Sequence, residues 1–533
     1  MTEKYIIAHD LGTSGCKAAI TNLKGVVLAT AEKRYPVQYH PDGGAEQDPE
    51  DWWNAIVETT HEMMAKVDVT PDQVAGMGMS AQMVGTLAVD AQGHALRPAM
   101  IWLDARAQEE AAYLVKKTKL DFIDGKAPSA KVRWIMKHEP EIYAKTHKML
   151  DCKDYIQCRM TGVFATDYTL ASGTTYFNPW ALQWWPEVLN AMELPMDKVP
   201  TAMASTDKVG ELTEQAAREL GLRPGIPVIC GGGDIPCAVI GSGAISVGRT
   251  HLYLGTSAWI FAITNEFKLD AEGISPGVGC DRTTYALGGE MDNAGGCMKW
   301  FLENLITQAD HDAAAAKGMS IYQYMDDLAA GVPPGSEGLL FLPWIWGERA
   351  PVNDENVRGG FINLGSNHTR AHMMRALLEG IGHHLRWVFS KIEAAGVPQT
   401  EVHVIGGGAT SEFWLQMLAD ITNKKMLQVE GPLDACARGA AMTAAVGLGF
   451  YKDFAEVEKV ICLTGKEFSP DPEKRALYDQ GYAAFRYSYE PLSKIGNKKV
   501  PLVDDSKKFS LKGAVEGFIL KQFVKAQQKK RKI

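Results

Sequence analysis

The chain has 533 residues and a formal net charge of −9, a length that predicts two to four domains with cores of their own. The acidic balance argues against a nucleic-acid partner, and no apolar run reaches the roughly 18 residues that a transmembrane segment needs. The first residues lack a signal-peptide pattern and the nine cysteines form no Cys-x-x-Cys pair, so we expect reduced thiols in a cytoplasmic protein.

A strand–turn–strand pattern at residues 6–20 is the first motif in the chain with a chemical meaning. Apolar runs flank the turn Gly12-Thr13-Ser14, whose glycine lets backbone N–H groups approach an anion and whose hydroxyls add donors. Asp10, at the end of the first strand, could hold a metal ion beside that anion, directly or through water. The pattern predicts a phosphate-binding β-hairpin, and an ordinary hairpin with a polar turn is the alternative.

The next stretches could build a pocket for a small molecule. Asp48 caps a predicted helix through Thr60, and a strand at 74–80 leads into a polar loop. The candidate pocket residues are Gln82, Met83, Trp102, Asp104 and Arg106. An aromatic face can pack against the C–H side of a sugar while amide and carboxylate groups bind its hydroxyls. The alternative is a local ion pair beside a core tryptophan.

A glycine-rich turn follows a buried strand near residue 230. Before it, helices are predicted at 107–120 and 128–140, and the small polar residues 167–178 are expected to form a loop. Three glycines, 231–233, leave room for a phosphate, and the carboxylate of Asp234 directly after them could accept a proton from an attacking hydroxyl. A glycine turn with a capping acid is the alternative. The chain has no P-loop and no Gly-x-Gly-x-x-Gly turn, which argues against P-loop and Rossmann enzymes.

The hairpin pattern recurs at residues 251–260, where an apolar strand leads into Gly255-Thr256-Ser257 and a second apolar strand. Two similar halves, each with a phosphate-binding hairpin, indicate a nucleotide in the cleft between them. This arrangement resembles the actin-like ATPase superfamily, which includes sugar kinases. We place the two domains at 1–246 and 247–490, followed by a tail at 491–533.

The second half again alternates strands with helices. We predict helices at 370–395, 411–421 and 437–445, the last one of small residues suited to close packing, and a strand at 402–405. Gly407 and Gly408 follow that strand and leave room for a flat ring or a ribose, unless the turn is only tightly packed. From Asn497 onward the chain is rich in lysine and includes a short basic amphipathic segment. It is a solvated tail, or else it contacts an anionic surface or another subunit.

Taken together, these motifs resemble the FGGY family of carbohydrate kinases, and most of all its xylulokinase branch. The resemblance runs from residue 4 to about residue 490, with several long motifs in one order. Further matching stretches are 46–49 with Trp52 and Trp53, 128–140, which resembles the first family signature, and 347–351 with Arg358 and Gly359, which resembles the stretch around a second signature.

The resemblance implies an α/β fold of two actin-like, ribonuclease H-like domains with ATP and Mg²⁺ in the cleft. It implies transfer of the γ-phosphate of ATP to a hydroxyl of a ketose or polyol, with Asp234 as general base and Asp10 at the metal. The residues implied at the substrate are Gln82, Met83, Val84, Trp102, Asp104 and Ile235. Those implied at the nucleotide are Gly12, Thr13, Ser14, Lys17, Gly255, Thr256, Gly295, Lys299, Gly407 and Gly408.

Two positions depart from the xylulokinase pattern. Xylulokinases usually carry His after Gln-Met and Asn after Gly-Gly-Gly-Asp, whereas this chain has Val84 and Ile235. Both family residues offer hydrogen bonds to the sugar, and neither replacement does. We therefore expect D-xylulose to be a poor substrate, or at least not the best one. The alternative is that Asp292, Asn293 or ordered water supplies the missing bonds.

Two other functions remain open from the sequence. An actin-like ATPase coupled to conformational change needs no small polar pocket, so the pocket residues favour a kinase. A sugar-binding regulator without kinase activity is disfavoured because Asp10 and Asp234 are both present. We expect a small-molecule substrate, no nucleic acid and no transmembrane segment, with a homodimer as a further possibility.

Overall fold

A computed structural model describes residues 3–269, 272–461 and 463–500 of the chain. The lysine-rich stretch 501–533, which forms most of the predicted tail, lies outside the described residues. Among the described helices none is long and apolar enough to cross a membrane.

The elements of the first half follow in chain order. The strands are β1 (Tyr5–Leu11), β2 (Gly15–Asn22), β3 (Val27–Arg34), β4 (Gln38–Tyr39), β5 (Ala45–Gln47), β6 (Val74–Ala81), β7 (Leu87–Val89), β8 (Ala99–Met100), β9 (Lys148–Leu150), β10 (Ala165–Asp167), β11 (Phe177–Asn178), β12 (Gln183–Trp184), β13 (Thr201–Met203), β14 (Lys208–Glu211), β15 (Pro227–Ile229) and β16 (Gly232–Gly233). The helices are α1 (Pro49–Met64), α2 (Gln108–Thr118), α3 (Pro128–His138), α4 (Pro140–Lys145), α5 (Cys152–Thr161), α6 (Tyr168–Gly173), α7 (Pro186–Met192), α8 (Glu214–Leu220) and α9 (Asp234–Ser242).

The second half continues with the same alternation. Its strands are β17 (Arg249–Leu254), β18 (Ala258–Thr264), β19 (Ser275–Val278), β20 (Tyr285–Met291), β21 (Leu340–Leu342), β22 (Gly360–Ile362), β23 (Glu401–Ile405), β24 (Met426–Val429) and β25 (Leu463–Phe468). Its helices are α10 (Gly295–Leu305), α11 (Gln308–Ala316), α12 (Ile321–Ala330), α13 (Arg370–Ala394), α14 (Glu412–Thr422), α15 (Ala435–Gly447), α16 (Phe454–Glu458) and α17 (Arg475–Gly496).

Each half is built on a mixed sheet, and the two sheets repeat one topology. The first has the order β14-β15-β6-β1-β2-β3 with β16 beside β6, and the second has the order β19-β20-β18-β17-β23-β24-β25. In the first sheet β2 pairs antiparallel with both β1 and β3, and β1 pairs parallel with β6. In the second, β18 pairs antiparallel with both β17 and β20, and β17 pairs parallel with β23. The prediction of two similar halves is therefore confirmed.

One face of each sheet is covered by a helix from its own half. The side chain of Asp48 accepts a hydrogen bond from the backbone N–H of Glu50 and caps α1, which buries Trp52, Ile56 and Met63. These side chains join the core of the first sheet. Helix α13 buries its apolar residues in the same way in the core of the second sheet.

Two helices, α9 and α15, lie between the opposite faces of the two sheets and pack against each other. Helix α15 belongs to the second half by sequence, yet its alanines pack on the first sheet. Glycines let α15 approach α9, because a Cβ added at Gly439 would lie 1.8 Å from the carbonyl oxygen of Cys237, and one at Gly241 would lie 1.8 Å from that of Ala435. The close packing predicted for 437–445 is confirmed, and it places Asp234, the first residue of α9, at the junction of the halves.

The structure corrects the prediction of a loop at 167–178. This stretch contains the end of β10, helix α6 and strand β11. The Asp167 carboxylate accepts a 2.7 Å hydrogen bond from the backbone N–H of Thr169 and caps α6. Helix α17 also runs past the predicted domain end at residue 490, and the side chains of Ser493 and Asn497 both donate to the carboxylate of Asp354.

Candidate functional site

The two predicted phosphate hairpins are present as β1–β2 and β17–β18. In the first turn the N–H of Gly12 donates to the Gly15 carbonyl at 2.9 Å. The second turn packs on the start of α10, where the N–H of Gly295 donates to the Gly255 carbonyl at 2.9 Å. Thr256 is exposed in that turn. The N–H groups of Gly12 and Gly295 are thus bonded within the chain, and the hydroxyl of the exposed Thr256 is a donor that this turn can offer to an anion.

Asp10 lies near the carboxyl end of β1, beside the first turn. The Ser80 hydroxyl, on the neighbouring strand β6, donates to Asp10 Oδ1 at 2.7 Å, and burial raises the pKa of Asp10. Lys17 does not point into open space, because its Nζ donates to the Leu433 carbonyl at 2.7 Å and lies 3.5 Å from Asp434 Oδ1. The structure thus shows Lys17 joining the first hairpin to the loop before α15, and its predicted contact with the nucleotide stays a prediction.

Asp234 follows a turn that only glycine can form. Gly231 has a φ of 71°, and a Cβ there would lie 1.9 Å from the carbonyl oxygen of Met79. The N–H of Gly233 donates to Thr169 Oγ1 at 2.8 Å, which fixes the chain just before the acid. Burial, together with the negative charges of Asp10 and Glu290, raises the pKa of Asp234 to about 8. Carboxylates from both halves therefore face this group.

The predicted Gln82–Met83 loop lies beside that turn. The Gln82 backbone N–H donates to the Leu11 carbonyl and its Nε2 donates to Gln47 Oε1, both at 2.7 Å. Its Oε1 is buried and has no hydrogen-bond partner within the described part of the chain. A Cβ at Gly233 would lie 2.3 Å from the Met83 sulfur, so Met83 packs against the Asp234 turn. Gln82 and Met83 are thus placed together near the predicted base.

Trp102 connects the predicted sugar pocket with the phosphate turn and with the second half. Its Nε1 donates to Thr13 Oγ1 at 2.8 Å. The guanidinium carbon of Arg349, from the second half, lies 5.2 Å from the centre of the Trp102 ring. Arg349 Nε donates to Asp292 Oδ1 at 2.7 Å, and its Nη1 pairs with Glu290. From the sequence, Arg349 belongs to the matching stretch 347–351 and has no predicted role in the site.

Two predicted substrate residues, Asp104 and Ile235, make contacts within the protein. Asp104 is 0% exposed, and its carboxylate accepts from the Ala45 backbone N–H and from Arg106, which favours the alternative of a local ion pair. Ile235 packs beside an apolar cluster that includes Val239 and Phe261. The contacts of Asp104 and Ile235 with substrate stay predictions.

Val84 is half-buried and has a φ of 66°, a left-handed conformation that β-branched residues rarely adopt.

On the nucleotide side, Gly407 begins a 3₁₀ turn after β23, and no atom lies within 4 Å of a Cβ added there. Gly408 is close-packed, because a Cβ there would lie 2.7 Å from the Trp414 ring. Lys299 is exposed on α10, with Glu303 3.7 Å away. Open space thus adjoins Gly407, as a bound nucleotide requires.

The described residues contain no cluster of three or more His, Cys, Asp or Glu side chains that could hold a metal ion. Mg²⁺ in nucleotide sites is commonly held by one or two carboxylates together with phosphates and water. Asp10, with one oxygen bonded to Ser80 and the phosphate turn adjacent, fits that mode of binding. All eight described cysteines are free.

Two α/β halves with a shared topology, each with a glycine hairpin, define a protein of the actin-like ATPase class. The chain belongs to the FGGY family of carbohydrate kinases. The N-terminal domain of that family matches residues 5–241, and its C-terminal domain matches residues 251–448. The predicted family, fold class and activity are confirmed, and the chain is an ATP-dependent carbohydrate kinase.

Individual relatives cover almost the whole chain. The xylulose kinase of Bacillus subtilis is 32% identical over 91% of this chain and 97% of its own length, and that of Escherichia coli is 32% identical over 91% and 99%. The gluconokinase of Bacillus subtilis is 29% identical over 86% and 90%. Among solved structures, a gluconate kinase from Lactobacillus acidophilus has a TM-score of 0.83 at 27% identity and covers 94% of this chain and all of its own. A ligand-bound xylulose kinase from the same organism has a TM-score of 0.83 at 27% identity and covers 93% of this chain and 100% of its own.

Proposed function

We propose that this kinase phosphorylates a hydroxyl of a ketose or polyol, with Asp234 as the general base. The observation that carries the proposal is the placement of Asp234 at the junction of the halves, where burial and nearby carboxylates raise its pKa to about 8. Once ionised, a carboxylate with a raised pKa is a stronger base than an ordinary one, and a general base works best when its pKa lies near the operating pH. Its neighbours Gln82 and Met83 are suited to hold the sugar beside it.

The reaction is an in-line transfer. The acceptor hydroxyl gives its proton to Asp234 while its oxygen forms a bond to the γ-phosphorus, and the bond from that phosphorus to the bridging oxygen of ATP breaks, so that ADP leaves. Phosphoryl transfer needs mainly positioning and charge stabilisation. The exposed turn residues Ser14 and Thr256, one in each hairpin, carry hydroxyl groups that can donate to the phosphates.

We propose Asp10 as the protein ligand of Mg²⁺, which when bound neutralises phosphate charge. The nucleotide base and ribose would lie in the open space at Gly407. A reducing, cytoplasmic environment is supported by the free thiols.

The acceptor is proposed to be other than D-xylulose, although several relatives bear the name xylulose kinase. Val84 and Ile235 give a hydroxyl no hydrogen bond where xylulokinases usually offer His and Asn. Losing a bond at a buried hydroxyl costs about 1–3 kcal/mol. Two such losses correspond to about tenfold to ten-thousandfold in discrimination. The preferred acceptor then presents fewer or differently oriented hydroxyls at this end.

A coupled ADP-release assay over tetruloses, pentuloses, hexuloses, polyols and gluconate tests the proposal. We expect a ketose or polyol other than D-xylulose to give the highest kcat/KM, and Asp234→Asn to lower its turnover about 10²–10⁴-fold. The double variant Val84→His/Ile235→Asn should improve D-xylulose specifically. If D-xylulose leads the panel and the double variant does not improve it, the argument from these positions is wrong. Near-normal turnover of a folded Asp234→Asn protein would reject the base.

A further inference from the structure

A fully buried lysine joins the two stretches that form the proposed sugar pocket. Lys131, on α3, is 0% exposed. Its Nζ donates to the carbonyl of Val84 at 2.9 Å and to the carbonyl of Ile101 at 2.7 Å. Val84 follows Gln82 and Met83, and Ile101 directly precedes Trp102. One ammonium group thus fixes the backbone on two sides of the pocket.

The surroundings of Lys131 show that its partners are backbone carbonyls rather than an acid. Within the described residues no carboxylate oxygen lies in ion-pair distance of its Nζ, the nearest influences being Asp104 and Asp151. Burial lowers the pKa of Lys131 to about 7, although those two acids oppose the shift. The amino group keeps at least two N–H donors whether it is charged or neutral, so both carbonyls stay bonded in either state.

The backbone that Lys131 holds is itself unusual. Val84 has a φ of 66°, a conformation that a β-branched residue adopts only when its surroundings hold it there. Beside it, the N–H of Gly85 donates to Asp151 Oδ2 at 3.0 Å. A Cβ at Gly85 would lie 2.3 Å from Asp151 Oδ1, so the loop has no room to shift toward that side. The loop is therefore anchored at two consecutive residues.

We propose that Lys131 is a positioning residue for the sugar: it sets the place of the Val84 loop relative to Trp102 and so determines affinity for the acceptor. The inference rests on the proposed function, because it takes these two stretches as the sugar pocket. Lys131 itself is fully buried behind them and acts through the backbone. Its loss should affect the sugar more than the nucleotide, because Lys131 reaches the phosphate turn only indirectly, through the hydrogen bond from Trp102 to Thr13.

The test compares Lys131→Met with the matched control Lys148→Met. Lys148, in the same half, also donates to two backbone carbonyls, those of Asp197 at 2.6 Å and Val199 at 2.9 Å. For Lys131→Met we expect the KM of the best acceptor to rise about ten- to a hundredfold, since two hydrogen bonds to the backbone of the pocket are lost. The KM for ATP should rise much less, by a few-fold at most. For Lys148→Met both KM values should stay unchanged. The melting temperature should fall in both variants, because each loses two hydrogen bonds to backbone carbonyls.

Two further variants, Lys131→Gln and Trp102→Ala, complete the test. Lys131→Gln, which keeps a donor of smaller reach, should give an intermediate KM and replaces Lys131→Met if the latter does not fold. A sugar KM that is unchanged in the folded variant, or that rises no more than the KM for ATP, overturns the inference. Trp102→Ala separates the two levels of the argument. If it raises the sugar KM and Lys131→Met does not, only the role of Lys131 is wrong, and if neither does, the pocket assignment itself is wrong.

Discussion

Asp234 is predicted to make the protein less stable as the pH rises, because the folded state holds this carboxyl in its protonated form. The ordinary pKa of an aspartate is 3.8, and in the folded protein that of Asp234 is about 8. Below pH about 4 both the folded and the unfolded chain keep the proton. Between pH about 4 and about 8 only the unfolded chain releases it, which favours unfolding. Above pH about 8 both are ionised and the difference is constant.

The size of the effect follows from these two pKa values. Each unit of difference is worth about 1.4 kcal/mol, so the upper limit is about 6 kcal/mol above pH 8. Asp234 is partly exposed to solvent. Solvent screens part of the difference, and we expect about 2–4 kcal/mol. Asp234→Asn has the same shape and no titratable group, so it should be more stable than the natural protein, with the gain growing between pH about 4 and about 8.

Urea unfolding of both proteins at pH values from 5 to 9, without nucleotide, sugar or Mg²⁺, measures this difference. Asp121→Asn, at an exposed aspartate, is the control and should follow the natural protein at every pH. Stability curves of Asp234→Asn and the natural protein that run parallel over this range would show that the carboxyl is not perturbed. The argument for Asp234 as a base tuned by its surroundings would then fail.

Three further predictions concern the base, the helix crossing and the tail. Glu290→Gln removes a negative charge that raises the pKa of Asp234, so the acid limb of the kcat/KM profile should move to lower pH, and an unmoved limb contradicts this. Gly439→Ala places a Cβ 1.8 Å from a backbone carbonyl and should cost about 1–3 kcal/mol of unfolding free energy, unlike Gly331→Ala, whose nearest neighbour would be 3.5 Å away. Removal of residues 501–533, a cut that keeps Asn497 and its bonds to Asp354, should leave kcat unchanged; a large loss would show that this stretch builds the site.

The parts of the site that the sequence predicts well are those encoded within a few consecutive residues. Both hairpins require only an apolar strand, a small polar turn and a second strand, and both are present. The glycines before Asp234 are likewise a local signal, because they indicate a backbone conformation that other residues rarely adopt. The φ of 71° at Gly231 confirms it. Helix α6 was missed because its signal is a single capping residue, Asp167, in a segment too short to show a period.

The parts that the sequence does not predict depend on residues far apart in the chain. Arg349 reaches Trp102 across 247 positions because α9 and α15 hold the halves together and place their loops face to face. Lys131 bonds to two backbone carbonyls. The sequence does not reveal such partners, because every residue has a backbone carbonyl whatever its side chain. The pairing of Asp104 with Arg106 could be read either as a sugar contact or as an ion pair until the burial of the carboxylate was known.

The conformation of Val84 bears on why this chain departs from the xylulokinase pattern. At a φ of 66°, histidine is tolerated better than a β-branched valine, so the backbone alone would favour the residue that xylulokinases usually have. Keeping valine there costs of the order of 1–3 kcal/mol, which the bonds from Lys131 and to Asp151 can offset. Under the proposed assignment of Val84 to the sugar pocket, we explain this unfavourable backbone by the apolar surface that valine presents there. Such a surface favours an acceptor with no hydroxyl to bind at that point.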